Sequence, residues 1–220
     1  MERFAVPAPT LARRMLGWRL VSEVGGVRTS GRVIETEAYL GPEDPASHAA
    51  TRKGRTDRNA SMFEGGGTAY LYFTYGMHWC FNVAAGAPGE PGAVLVRALE
   101  PLEGREVMEA RRGRSRDLTS GPARLCQALG LDGTHDGHRL EGPPLWIEEG
   151  DAPDERRIGV SGRVGIRKAR RWPLRFFLEG HPDLSGGKAP PSDPRTLPAE
   201  LHWIHRPGSS IRRSTSTESA

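Results

Sequence analysis

The sequence predicts an α+β fold: one mixed domain in which a curved, largely antiparallel sheet is flanked by helices and carries a protruding β-hairpin. Three observations point there. Short alternating or continuous apolar runs recur along the chain, which is the pattern of strands. Only three stretches carry helix signals, and all are short. No Pro/Gly/Ser-rich linker or internal repeat divides the 220 residues, a length that suffices for one large core.

The elements follow in order. Thr10–Gly17 (TLARRMLG) is expected as a short helix with Thr10 as N-cap, Leu11 and Met15 on one face and Gly17 at its end. Trp18–Val24 and Gly31–Tyr39 read as strands, Ser47–Arg58 as a polar loop, and Gly65–Gly67 as a flexible turn into the next strand. In YLYFTYGMHWCFN, two strands meet at Tyr75-Gly76-Met77, with Tyr70, Tyr72 and Thr74 sharing one face. Phe73, Trp79 and Phe81 are expected in the core. Ala93–Leu99 reads as a buried strand and Glu103–Arg112 as an exposed helix. Pro122 suits a first helical position, with Leu125 and Leu129 on one face and Gly130 past the end. Pro144–Glu148, Arg156–Ser161 and Leu174–Glu179 carry further strand signals, and Asp183–Glu200 is loop-rich. The domain is expected over residues 1–206, with Pro207–Ala220 too poor in apolar residues to pack and so disordered.

Composition limits the partners. A chain 36% hydrophobic and 26% charged fits a soluble globular protein, and no run approaches the roughly 18 apolar residues of a membrane span. The start lacks a signal peptide, so a cytoplasmic setting, wherever nucleic acid is kept, is expected. Cys80 and Cys126 form no CxxC pair and are expected as buried thiols. His202 and His205 read as surface histidines, so neither metal nor cofactor is expected. The balance of 31 Lys+Arg against 27 Asp+Glu is mild, but arginines cluster in Arg52–Arg58, Arg105–Arg116 and Arg163–Arg175. Three such clusters on one domain point to a phosphate backbone.

Three places could carry chemistry. Alternation in GRVIETEAYLGPEDPASH puts Val33, Glu35 and Glu37 on one side of a strand. On spacing alone, paired glutamates on an edge strand are usually solvated; the alternative is an acid–base site walled by Tyr39 and His48. Arg97 interrupts an apolar strand and needs an acidic partner, by default in a structural salt bridge. Glu37 in that place would make the pair an anchor for a bound water. Tyr75 and Met77 stand where turns normally carry small polar residues. They suit a membrane wedge, a protein partner or insertion between stacked bases, and the arginines favour the last.

The motifs GRVIETEAYLGPEDPASH, RTDRNASMF, GTAYLYFTYGMHWCFNV, VLVRALEPLEG, SGPARLCQALGL and RVGIRKARRWPLRF together resemble the methylpurine-DNA glycosylase family, over about Leu11 to Leu178. That resemblance implies a monofunctional enzyme that flips a damaged purine out of double-stranded DNA and hydrolyses its N-glycosidic bond, chemistry for which a monomer without a cofactor suffices. By it, Glu37 would be the general base, with Arg97 helping to hold the water. Tyr39, His48, Tyr72 and Asn82 would surround the flipped base, and Tyr75, supported by Met77, would fill the gap in the stack. Arg55, Thr56, Arg58 and Arg124 would contact the DNA. Asp57 departs from the family's usual proline, and His78-Trp79 from its usual aromatic pair. A non-catalytic nucleic-acid-binding module on the same fold is the rival; it would have no use for Glu37 with Arg97. A small-molecule transferase would show no salt-dependent affinity for DNA.

Overall fold

The computed structural model describes residues 2–50, 54–199 and 201–202. The tail expected to be disordered and His205 lie outside the described residues. β2 (Thr29–Tyr39) and β5 (Gly92–Glu103) are the longest strands and pair antiparallel at the centre of a nine-stranded sheet. β3 (Ala69–Thr74) and β4 (His78–Ala85) extend the sheet beyond β5. On the far side of β2, two different strands share one edge. β1 (Arg19–Ser22) pairs with Thr29–Arg32, and β9 (Arg175–Leu178) pairs with Glu35–Glu37. β6 (Glu141–Gly142) and β7 (Leu145–Glu148) continue from β1, whereas β8 (Ile158–Ser161) pairs with β9. All of these pairings are antiparallel, as expected from the sequence.

β2 is therefore not an edge strand, and its two glutamates are not solvated: Glu35 and Glu37 are completely buried. The edge reading fails because β9, about 140 residues away in sequence, covers the strand that spacing left open. The β2–β5 register also shifts on both sides of Glu35. Val33 pairs with Leu99, Glu35 with Ala98 and Thr36 with Val96, which leaves Ile34 and Arg97 as the extra residues on their strands. These offsets seat Arg97 beside Glu35.

Three α-helices cover the sheet among the described residues: α1 (Ala8–Arg14), α2 (Arg105–Arg112) and α3 (Pro122–Leu129). α1 starts two residues before the expected cap. Its first backbone bond runs from the Leu11 N–H to the Pro7 carbonyl, and Thr10 lies inside the helix, where it cannot cap. Leu11 and Met15 share the buried face, packed with Leu16, Leu20, Val33 and Ile34. α3 ends as expected, with Gly130 in the left-handed region at φ +73°. The Gly65–Gly67 turn is tight rather than loose: a Cβ on Gly66 would lie 2.3 Å from the Phe4 carbonyl oxygen. Within the core, Phe81 is fully buried and Trp79 partly so, but Phe73 is 41% exposed, contrary to expectation. It lies one residue from the turn, where β3 has run past the body of the sheet, and packs on Trp79 with the rings tilted by 48°.

A candidate active site

The inner faces of β2, β3, β4 and β5 converge on a cavity of about 320 Å³. Tyr39, His48, Tyr70, Tyr72, Asn82 and Arg97 line it, closed by Val164–Ile166 on one side and Pro122 on another. Alternation along β3 directs Tyr70 and Tyr72 inward together. The His48 ring meets Tyr72 edge-to-face at 4.5 Å, and its Nδ1 lies 2.6 Å from the Tyr70 hydroxyl. Burial, and secondarily the charge of Arg58, lowers the His48 pKa, so the ring is neutral at pH 7. Burial raises the Tyr70 and Tyr72 phenols, which stay protonated. The wall is thus aromatic and uncharged. Asn82 is buried and donates to the Tyr70 carbonyl at 3.0 Å, which fixes its amide.

Glu37 is held just behind the cavity floor, against three residues that line it. Its Oε2 accepts from the Tyr39 hydroxyl at 2.9 Å and faces Arg97 Nη1 at 3.4 Å, while Oε1 accepts from the Val164 backbone N–H at 2.6 Å. Burial, reinforced by the Glu37 carboxylate, pushes the Tyr39 phenol well above its ordinary value, so it remains a donor. Burial alone would lower the Arg97 pKa, but Glu37 and Glu35 outweigh it, and the guanidinium is held above its ordinary range. Arg97 thus has two acidic neighbours rather than one: its Nε donates to Glu35 Oε1 at 3.0 Å. Cys80 also lines the cavity, but burial raises its thiol, which makes it a poor nucleophile.

Two residues of the third arginine cluster lie in the interior and not on a basic face. Arg163 is fully buried, paired with Asp44 through two nitrogens, bonded to the Ala38 carbonyl and seated 4.6 Å from the centre of the Tyr39 ring. Arg175 donates to Glu35 at 2.7 Å. Arg167, Lys168, Arg170 and Arg171 remain exposed. Arg163 anchors the segment whose Val164 N–H holds Glu37. Its signal lay in the RVGI motif, where a basic run reads as surface by default.

At the mouth, Tyr75 is 84% exposed and Met77 67%. Met77 N–H bonds back to Thr74 across Tyr75 and Gly76, both with positive φ (51° and 65°). That turn matches the twist of paired strands, but a tyrosine in the left-handed region costs about 1–2 kcal/mol. Tyr75 reaches the cavity rim; Met77 does not line it. Arg58 is placed as a brace, donating to the Phe73 carbonyl at 2.9 Å with its guanidinium 5.9 Å from the Tyr72 ring centre. Thr56 is tied to Asn59, Arg55 lies near Glu64 and Phe63, and Arg124 donates to Ser120 beside the cavity-lining Pro122. Cys80 and Cys126 are free, buried thiols, and His202 lies 3.1 Å from the Leu197 carbonyl. Among the described residues, no helix is long and apolar enough to cross a membrane.

Comparison with known proteins gives the class. The chain belongs to the methylpurine-DNA glycosylase family, whose profile matches residues 2–182. Among its relatives, the DNA-3-methyladenine glycosylase of Homo sapiens is 42% identical over 84% of this chain and 67% of its own length. Proteins of Chlorobium phaeovibrioides and Chlorobaculum tepidum, provisionally named 3-methyladenine DNA glycosylases, are 45% and 46% identical. They cover 84% and 87% of this chain, and 95% and 91% of their own lengths.

Proposed function

We propose that the protein flips alkylated or deaminated purines out of duplex DNA and hydrolyses the N-glycosidic bond, leaving an intact abasic site. One observation carries this reading: a buried carboxylate, Glu37, sits directly behind the cavity-lining Tyr39, Arg97 and Val164 of an aromatic cavity whose rim bears a strained, exposed tyrosine. Family membership supports the same class of substrate.

A base inside the stack cannot offer its glycosidic bond to water, and extruding it costs a few kcal/mol. Tyr75 fills the vacated place with an aromatic ring, and Met77 supports it. Inside, a purine alkylated on a ring nitrogen carries positive charge, and a cation over a tyrosine face gains about 0.5–2 kcal/mol. Tyr39, Tyr72 and neutral His48 supply uncharged walls that do not repel it. The cationic purine leaves with the bonding electron pair and becomes neutral, while C1′ develops oxocarbenium character. Glu37 stabilises that charge and takes a proton from the attacking water, whose oxygen bonds to C1′; Arg97 holds the water. Neutral lesions such as hypoxanthine require a proton on the departing base. Asn82, whose amide donates to the Tyr70 carbonyl, rejects normal guanine by a clash with its exocyclic amine. Among the described residues no lysine lines the cavity to form a Schiff base. Arg124, beside the cavity-lining Pro122, contacts a backbone phosphate, and Arg58 stabilises the ribbon that carries Tyr75.

The test is a panel of duplexes bearing single 7-methylguanine, 3-methyladenine or hypoxanthine lesions under single-turnover conditions. Wild-type protein releases free base from them and Glu37→Gln binds them but is slower by about 10³-fold, within the usual range for losing a general base. Binding without release by wild type would leave the non-catalytic module as the correct reading.

A further inference from the structure

We infer that Glu35, which does not touch the cavity, is the positioning residue that aims Arg97, with Ser185 as its bridge; this rests on the proposed hydrolysis. Glu35 accepts four hydrogen bonds, at least one on each oxygen. Oε1 accepts from Arg97 Nε at 3.0 Å, Arg175 Nε at 2.7 Å and the Ser185 hydroxyl at 2.8 Å, while Oε2 accepts from the Ser185 backbone N–H at 2.7 Å. Ser185 Oγ in turn accepts from Arg97 Nε and Nη2, both at 3.2 Å.

The guanidinium is therefore clamped from behind through Nε and Nη2. Only Nη1 is turned toward Glu37, and it stops 3.4 Å away, longer than a good charge-assisted hydrogen bond. That gap is the functional point. An arginine alone with a carboxylate closes on it with two parallel bonds and ties up the lone pairs that a general base needs. Glu35 competes for the same arginine and holds it short of that closure. The two offsets in the β2–β5 register seat Arg97 beside Glu35. Arg175 balances the second carboxylate, so within this cluster two guanidinium groups face two carboxylates.

Glu35→Gln keeps the size and one acceptor but removes the charge that restrains Arg97. Its single-turnover rate constant, measured at saturating enzyme, should fall about 100-fold, the cost of roughly 1 Å of misplacement, with lesion-duplex Kd within about twofold of wild type. Glu35→Asp keeps the charge and should recover to within about tenfold; Ser185→Ala, which loses only the bridge, should fall about tenfold. The rate constant separates positioning from folding, because at saturating enzyme a smaller folded fraction leaves the rate constant of the bound complex unchanged. An unchanged rate constant in Glu35→Gln, or equal losses in the Gln and Asp variants, overturns the inference. If Glu35→Gln does not fold, Ser185→Ala decides alone: a rate constant equal to wild type overturns it. Wild type and Glu37→Gln are run alongside. Failure of wild type to release base removes both readings, whereas active wild type with inert Glu37→Gln and unaffected Glu35→Gln removes this one only.

Discussion

The floor of the cavity and its mouth are built on opposite principles. Beneath the floor, Glu35, Glu37 and Arg175 are buried with the cavity-lining Arg97, and both carboxylates are held by several donors. At the mouth, Tyr75 and Met77 lie open to solvent on a turn that costs conformational strain. A buried ion network adds little net stability, yet losing one partner strands the other. An exposed tip adds no core packing, so its residues can be exchanged with little effect on folding. The difference separates the tasks: the floor holds geometry for a water, and the mouth is free to meet a large partner. Changes at the floor should therefore disturb folding and chemistry together, and changes at the mouth should touch recognition alone.

The sharpest probe of that contrast is Asp44→Asn. Asp44 and Arg163 are completely buried against each other, and Arg163 also anchors the segment that bonds Glu37. Stranding the guanidinium should cost about 3–5 kcal/mol of stability in urea unfolding, and base release should slow as the Val164 contact loosens. A loss below about 1 kcal/mol, typical of exposed pairs, would contradict the view of the floor as one interlocked unit. Tyr75→Ser is the counterpart at the mouth. The stability midpoint should not change, because serine keeps the Cβ that makes the left-handed position costly and the tyrosine ring is exposed. Capture of the flipped base should weaken by about 1–3 kcal/mol, the usual worth of stacking against a base, read as slower release at limiting enzyme. Equal damage to folding in both variants would erase the distinction.

The same contrast explains what was legible in the sequence. The mouth could be read directly, because it is local: Tyr75 and Met77 violate turn chemistry within three residues, and the β3–β4 pairing follows from alternation. Glu37, Tyr39 and Arg97 were visible as polar or charged residues in strand patterns. Their environment was not. Glu35 was placed on the correct side of its strand but read as solvated, because β9 and Ser185 close over it from about 140 and 150 positions away. Arg163 and Arg175 sit in a run of basic residues, and no periodicity tells the two interior members from the four exposed ones. Phe73 erred the other way: alternation gave its face, but not where β3 outruns the body of the sheet. Local pattern shows which way a side chain points and leaves open what covers it.

His48 lies between the two regions, and its titration measures how far the dry floor extends toward the rim. Burial and then Arg58 depress its folded-state pKa below the ordinary value near 6.5, so the unfolded chain takes up the proton first. The stability that follows from this is fully present above about pH 6.5 and is lost as pH falls through the folded-state pKa. His48→Gln removes that titration along with the contact to Tyr70. Urea unfolding between pH 7.5 and 5 should therefore give two curves that converge on the acid side, wild type losing more stability than the variant. Parallel curves would mean that the ring is as solvated in the folded protein as in the unfolded chain. The wet mouth would then reach past His48 to the cavity wall, and the division between floor and mouth would have to be drawn deeper, at Tyr39.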